Sequence, residues 1–191
     1  MNKERVIEIF KSSGALMDGH FILTSGRHSP SYFQCAKVLQ YPKYLTLFAS
    51  QLITQFQSIA IDTVISPAVG GIVIGTEVGR QLGVRTIFSE RKNGKMTLRR
   101  GFSVITGEKI LIVEDVITTG GSVKEVQRLV ELKGGEIVGV ATIVDRSNGV
   151  VKLHKNQFTV LMMRAISYAE DELPDSLKNI PIEKPGSREL K

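Results

Sequence analysis

The sequence has no tryptophan and one cysteine, Cys35. A lone thiol excludes a disulfide within the chain and suits a reducing compartment, so packing alone has to hold the core. No apolar run approaches the roughly 18 residues that a membrane-spanning helix needs. The opening stretch MNKERVIEIF spreads its charges over an amphipathic pattern, which is not that of a secretory leader. Histidine is scarce: His20, His28 and His154 lack metal-ligand spacing, and none stands beside Cys35 in a motif for nucleophilic catalysis. Repeats and low-complexity tracts are missing too. The expectation is a cytoplasmic globular protein with no membrane partner, no metal held directly by the chain and no covalent nucleophile.

What is present in excess is positive charge. The 191 residues carry a formal net charge of +6, with 42% hydrophobic and 23% charged residues, ordinary values for a globular domain. Most of the excess sits in one place. In ERKNGKMTLRR (90–100) five basic residues face one acid, a local +4. Charge concentrated at a point suits a small polyanion better than the extended surface of a nucleic acid.

Residues 2–12 read as an amphipathic helix with Val6, Ile7, Ile9 and Phe10 on its apolar side. Residues 19–38 are turn-rich, and 42–58 are helical by the spacing of Leu45, Phe48, Leu52 and Phe56. Then β-branched runs appear at 61–65, 84–89, 109–113, 137–144 and 158–163, with helical stretches at about 71–82 and 121–133. This alternation predicts an α/β fold with a mostly parallel five-stranded sheet flanked by helices. From about residue 164 the chain is polar, as a surface strap or loose terminus would be. In such a sheet, ligands bind beyond the carboxyl ends of the strands.

The most informative segment follows the third run. ILIVEDVITTGGS (110–122) passes from apolar strand to two carboxylates, Glu114 and Asp115, and then to Thr118, Thr119, Gly120, Gly121 and Ser122 at the start of a helix. Glycines before a helix let N–H groups converge on an anion, and the helix terminus adds partial positive charge. There is no GxxxxGK[ST] and no GxGxxG, so neither a P-loop nor a dinucleotide site is expected. Carboxylates beside a phosphate cradle repel the phosphate unless a sugar lies between them, its hydroxyls donating to the acids. A ribose 5-phosphate group fits that arrangement. The competing reading is a helix start with acidic caps.

These residues resemble the phosphoribosyl-pyrophosphate (PRPP) signature of the type I phosphoribosyltransferases. The resemblance implies that Glu114 and Asp115 hold the ribose hydroxyls and that Val116, Ile117, Thr118, Thr119, Gly120, Gly121 and Ser122 hold the 5-phosphate. SPAVGGIVIG (66–75) matches the pyrophosphate loop, with Val69 and Gly70 at its contact positions; helix–strand packing through Gly71, Gly75 and Gly79 is the alternative. Over most of its length the chain is similar to the orotate phosphoribosyltransferases. FILTSGRHSPSYF (21–33) matches their hood, and Arg91, Lys92 and Lys95 fall in their Arg-Lys-x-x-Lys catalytic loop, read here as a mobile lid. ATIVDRSNG (141–149) matches the stretch whose arginine meets the base.

By that resemblance Lys95 is catalytic, Arg91, Lys92 and Lys95 bind PRPP, and Arg146 with Thr118 binds orotate. Tyr32 and Phe33 face the pyrimidine unless they pack hood on core, and Arg146 meets orotate unless Asp145 claims it. Mg²⁺ is implied as cofactor, held mainly by PRPP, and a homodimer is implied in which Lys95 acts in trans. The implied division is a hood at 1–38, a core at 39–165 and a tail at 166–191, within one domain. The chain departs from the common pattern at Thr24 (usually Lys), at Val69-Gly70 (usually Tyr-Lys) and at Thr97 (usually His), leaving Arg99 or Arg100 to compensate. A compact subgroup shares these departures, and the KPGSR ending (184–188) with them. Two other readings stay open: a transferase for a purine base, which needs no arginine at 146, and a PRPP-sensing regulator, which needs no lid lysine.

Overall fold

The computed structural model describes residues 1–23 and 25–184. Thr24 and nearly all of the KPGSR ending lie outside them. In chain order the elements are α1 (Lys3–Ser12), β1 (Leu16–Ile22), β2 (His28–Phe33), α2 (Ala36–Leu39), α3 (Pro42–Thr54), β3 (Thr63–Pro67), α4 (Gly70–Leu82), β4 (Arg85–Lys92), β5 (Lys95–Leu98), β6 (Lys109–Ile117), α5 (Gly121–Leu132), β7 (Glu136–Asp145), β8 (Gln157–Met162), α6 (Asp175–Lys178) and β9 (Ile182–Glu183), with a 3₁₀ turn at Glu170–Glu172.

The central sheet runs β5-β4-β3-β6-β7-β8. Its five parallel strands are the five β-branched runs; β3, β6 and β7 are buried almost end to end, as a sheet covered on both faces requires. On one face Val64, Leu111 and Val113 pack with Phe48 and Leu52 of α3 and with Ile74 and Val78 of α4. On the other, Ile65, Ile110 and Ile112 meet Val123, Val126 and Val130 of α5. The crossovers run outward in opposite directions from the adjacent pair β3 and β6, so the topological switch point lies between them.

The sheet has one strand more than expected. Residues 95–98, read as part of a mobile lid, form β5, antiparallel to β4 with Lys92 opposite Lys95. The two residues between are Asn93 and Gly94, with φ of 52° and 79°. Two successive positive φ angles make the hairpin turn that matches strand twist, and Asn-Gly is the dipeptide that adopts it at least cost. Met96, Leu98, Phe102 and Val104 anchor this arm against the α5 side of the core.

The turn-rich hood is also a sheet, in order β2-β1-β9. Pro30 is tolerated in β2 because that strand lies at an edge, where one N–H has no ladder partner to lose. The tail closes it as a strap: Ile182 pairs with His20 and Glu183 with Phe21, while the Ser29 hydroxyl donates to the Ile166 carbonyl at 2.8 Å. Hood and tail segments therefore build one structure. Inside it the buried His20 and His28 rings share a hydrogen bond, Nε2 to Nδ1, of 2.6 Å.

Candidate phosphate and sugar site

The apolar strand ahead of the acids is longer than the sequence suggested: β6 continues through Ile117, with Glu114 opposite Thr142 and Ile117 opposite Asp145 on β7. The acid pair therefore belongs to the rigid sheet. Glu114 is only 7% exposed. Burial first, and then its neighbour Asp115, push its carboxyl up to about 9; burial also raises Asp115. Two adjacent acids in one low-dielectric place cannot both ionise cheaply, so without ligand the site retains a proton at neutral pH.

Directly beyond lies a cavity of about 60 Å³ lined by Glu114 and residues 116–123. Gly120 precedes α5 at φ 73°, and a Cβ there would come within 2.8 Å of Val151 and 2.9 Å of Leu153, so only glycine fits. Among the described residues the N-cap positions of α5 (Gly120) and α4 (Val69) give no side-chain cap, and Thr119 Oγ1 takes only the Gly121 N–H, at 3.4 Å, whereas the Asn2 side chain accepts from Arg5 N–H at the start of α1. The free N–H groups of α4 and α5 are the natural partners of an anion. The acids are not caps. Asp115 accepts from the N–H of Val116 at 2.9 Å, next to it on the strand. Thr118 and Thr119 stand exposed at the cavity mouth.

The loop after β3 supplies the second uncapped terminus. It contains a cis peptide between Ala68 and Val69, and the Ala68 N–H donates to Ser89 O at 2.7 Å. Gly75 and Gly79 serve packing, because a Cβ at either would run into Ser66 or Thr86. Gly70, by contrast, faces Asp115. The packing reading therefore holds for Gly75 and Gly79, and Gly70 stands apart from it. The buried Ser66 and Ser89 hydroxyls below this loop have no hydrogen-bond partner among the described residues.

Arg146 follows β7, its N–H donating to Ile117 O at 2.8 Å, which fixes it beside the end of the acid-bearing strand. Asp145 does not claim it: that carboxylate accepts from Ser147 N–H and Oγ–H at 2.8 and 2.6 Å and from Gly149 N–H at 3.0 Å. The buried Arg146 Nε has no partner among the described residues, and burial pulls the guanidinium below its ordinary pKa while Tyr32 faces it. A guanidinium with an unpaired Nε is able to pair with a planar carboxylate. The two hood aromatics part company. Tyr32 lies near Phe21 at 5.8 Å, but Phe33 is buried edge-on against Phe10 at 5.0 Å and forms the hood–core contact, which corrects its reading as a base contact. Burial, with Asp115 and Glu114 adding to it, raises the thiol of Cys35 well above its usual range, so it stays protonated.

The basic arm is not gathered into the cavity. Arg91 makes a two-pronged pair with Glu125 of α5 at 2.7 and 2.8 Å, and Lys92 and Lys95 stand exposed at the hairpin tip. Arg99 and Arg100 lie 3.6 and 3.2 Å from Glu90, and Arg100 covers the Phe88 ring at 5.6 Å. Both are held at the base of the hairpin. Glu125 was not foreseen; its only trace in the sequence is an acid one turn into the helix that follows the phosphate loop.

Fold and site together define a parallel α/β protein with two anion-ready helix termini and a hydroxyl-accepting acid pair at the switch point. The model of the phosphoribosyl transferase domain matches residues 43–169, and the chain belongs to that family. It is 60% identical over 188 residues to a protein of Chlorobaculum parvum named orotate phosphoribosyltransferase, covering 98% of this chain and 97% of that one. Among solved structures, orotate phosphoribosyltransferase from Aeropyrum pernix superposes with a TM-score of 0.69 at 21% identity, over 82% of this chain and 93% of the other. An adenine phosphoribosyltransferase from Rhodothermus marinus gives 0.65 at 22%, over 84% and 100%. The structural likenesses establish the type I phosphoribosyltransferase fold, which serves more than one base.

Proposed function

We propose that the chain is an orotate phosphoribosyltransferase of pyrimidine (UMP) biosynthesis, moving phosphoribosyl from PRPP to N1 of orotate to give orotidine 5′-monophosphate and pyrophosphate. The observation that carries the choice of base is Arg146, a desolvated guanidinium with an unpartnered Nε beside the sugar site. A purine has no carboxylate to offer it. The full-length identity to a protein of that name supports the same choice.

In this reading Glu114 and Asp115 accept from the ribose hydroxyls, and residues 116–122 with the α5 N-terminus hold the 5-phosphate. The loop after β3 holds the pyrophosphate, and Arg146, Thr118 and Tyr32 orient orotate. As the C1–O bond breaks, positive charge grows on the ribose and negative charge on the leaving group; Lys95, with Arg91 and Lys92, stabilises the latter. Closing the basic arm excludes water, which would otherwise capture the ribose centre. Lys95 is exposed at the hairpin tip, and we place it in the neighbouring site of a homodimer.

Mg²⁺ fits as an ion carried by the substrate. A hard cation bound through phosphates and at most one or two carboxylates matches the acid pair. When bound it neutralises charge on the pyrophosphate. Among the described residues no helix is long and apolar enough to cross a membrane, in keeping with a cytoplasmic site of action. The test is loss of orotate ultraviolet absorbance on incubation with PRPP and Mg²⁺, with purine bases in parallel. Turnover of hypoxanthine or adenine, and none of orotate, refutes the assignment.

A further inference from the structure

Val69 and Gly70 stand where many members of the family carry Tyr-Lys, and the surroundings of Gly70 account for its bare α-carbon. A Cβ built on Gly70 would lie 2.6 Å from each carboxylate oxygen of Asp115 and 2.8 Å from its Cγ. Those are its three nearest atoms. Gly71, next to it, meets the other acid less tightly, Glu114 Oε1 at 3.0 Å beside the Val113 carbonyl at 3.0 Å and Ser66 Cβ at 3.2 Å, whereas Gly75 meets Ser66 alone at close range. From its other side Asp115 accepts the Val116 N–H at 2.9 Å, so its carboxylate is held between two stretches of backbone.

We propose that Gly70 is a positioning residue for PRPP, its missing side chain forming the seat that holds the Asp115 carboxylate against the pyrophosphate loop. The proposal rests on reading Asp115 as half of the ribose clamp. The seat couples the part of the site that takes the sugar to the part that takes the leaving group before either is filled.

Asp115 is a short, half-buried side chain, and the atoms a Cβ at position 70 would meet are those of its terminal carboxylate. A Cβ at position 70 therefore displaces the carboxylate before it deforms the fold, and the cost falls on the ligand. Losing a charged acceptor for a ribose hydroxyl weakens binding by roughly 10- to 100-fold.

Gly70→Ala and Gly70→Lys should each raise the PRPP KM by about that factor, leaving the orotate KM and the melting temperature near those of the parent. Calorimetry of PRPP binding to the full chain in Mg²⁺ completes a cycle with Asp115→Ala. Adding Gly70→Ala to Asp115→Ala should cost little further affinity, because the atom to be displaced has gone. Unchanged PRPP binding in Gly70→Lys, full additivity in the cycle, or a large fall in melting temperature for Gly70→Ala each overturns the seat. Failure of the underlying reading looks different: the parent does not bind PRPP, or Asp115→Ala binds it as tightly as the parent, which removes clamp and seat together.

Discussion

Replacing Glu114 by glutamine should make the protein more stable and less able to hold its substrate, and the stability gain should depend on pH in a defined way. Burial holds the Glu114 carboxyl at about 9 in the folded chain against 4.5 when unfolded, so the folded state binds a proton that the unfolded state releases. A carboxyl shifted in this sense contributes stability at low pH and loses it as pH rises, here between about 4.5 and about 9. The loss cannot exceed about 1.4 kcal/mol per pH unit, or about 4 kcal/mol at pH 7.5. Relaxation around the pair and sharing of the proton with Asp115 reduce this to about 1–2 kcal/mol. Glutamine keeps the volume and cannot ionise. Glu114→Gln should therefore melt about 2–8 °C above the parent at pH 8.5, with the gap shrinking steadily toward pH 5.5. Thermal melts across that range test it. The PRPP KM should rise roughly 10- to 100-fold, because a neutral amide is a poorer acceptor for the ribose hydroxyls. A gap that does not vary with pH, or a variant less stable than the parent at pH 8.5, would refute the buried-acid argument.

Three further outcomes follow from the site. Arg146→Lys keeps a positive charge but loses the planar fork; the orotate KM should rise about 10- to 100-fold while PRPP binding, measured by calorimetry, holds. Glu125→Gln releases Arg91 from its ion pair, and since that pair is partly exposed the PRPP KM should fall only about two- to fivefold; a rise would mean that Glu125 helps to place Arg91. Lys95→Ala should lower kcat by about 10²–10³ with PRPP affinity within a few-fold, read by single-turnover kinetics, and parent-like turnover would remove Lys95 from the chemistry.

The central strands were legible because β3, β6 and β7 are covered on both faces and so read as unbroken β-branched runs. The acid pair and the phosphate loop were legible for a related reason: charge and glycine end an apolar run abruptly. The hood strands were not, since β2 is HSPSYF, an edge strand whose Pro30 and serines carry turn chemistry. The arm reads as a mobile loop because asparagine, glycine and exposed charge all suit one, yet the same Asn93-Gly94 pair turns a hairpin. Contacts between distant segments left the weakest trace. Nothing local to Arg91 announces Glu125, and the burial that frees Arg146 from Asp145 depends on how Ser147 and Gly149 fold back.

The neighbouring placement of β3 and β6 gives the site the character of a two-point ruler. The helices α4 and α5, whose N-cap residues give no side-chain cap, follow adjacent strands, so in the proposed reading their N–H groups meet two anions with the acid pair in the interval between them. A ligand with a phosphate group at each end is bivalent here: once one end docks, the other sees its cradle at an effective concentration of roughly millimolar. Bond cleavage cuts the tether. Of the proposed products, pyrophosphate then keeps only its own cradle and can depart by itself, whereas the 5-phosphate loop, the acid pair and Arg146 still hold the nucleotide.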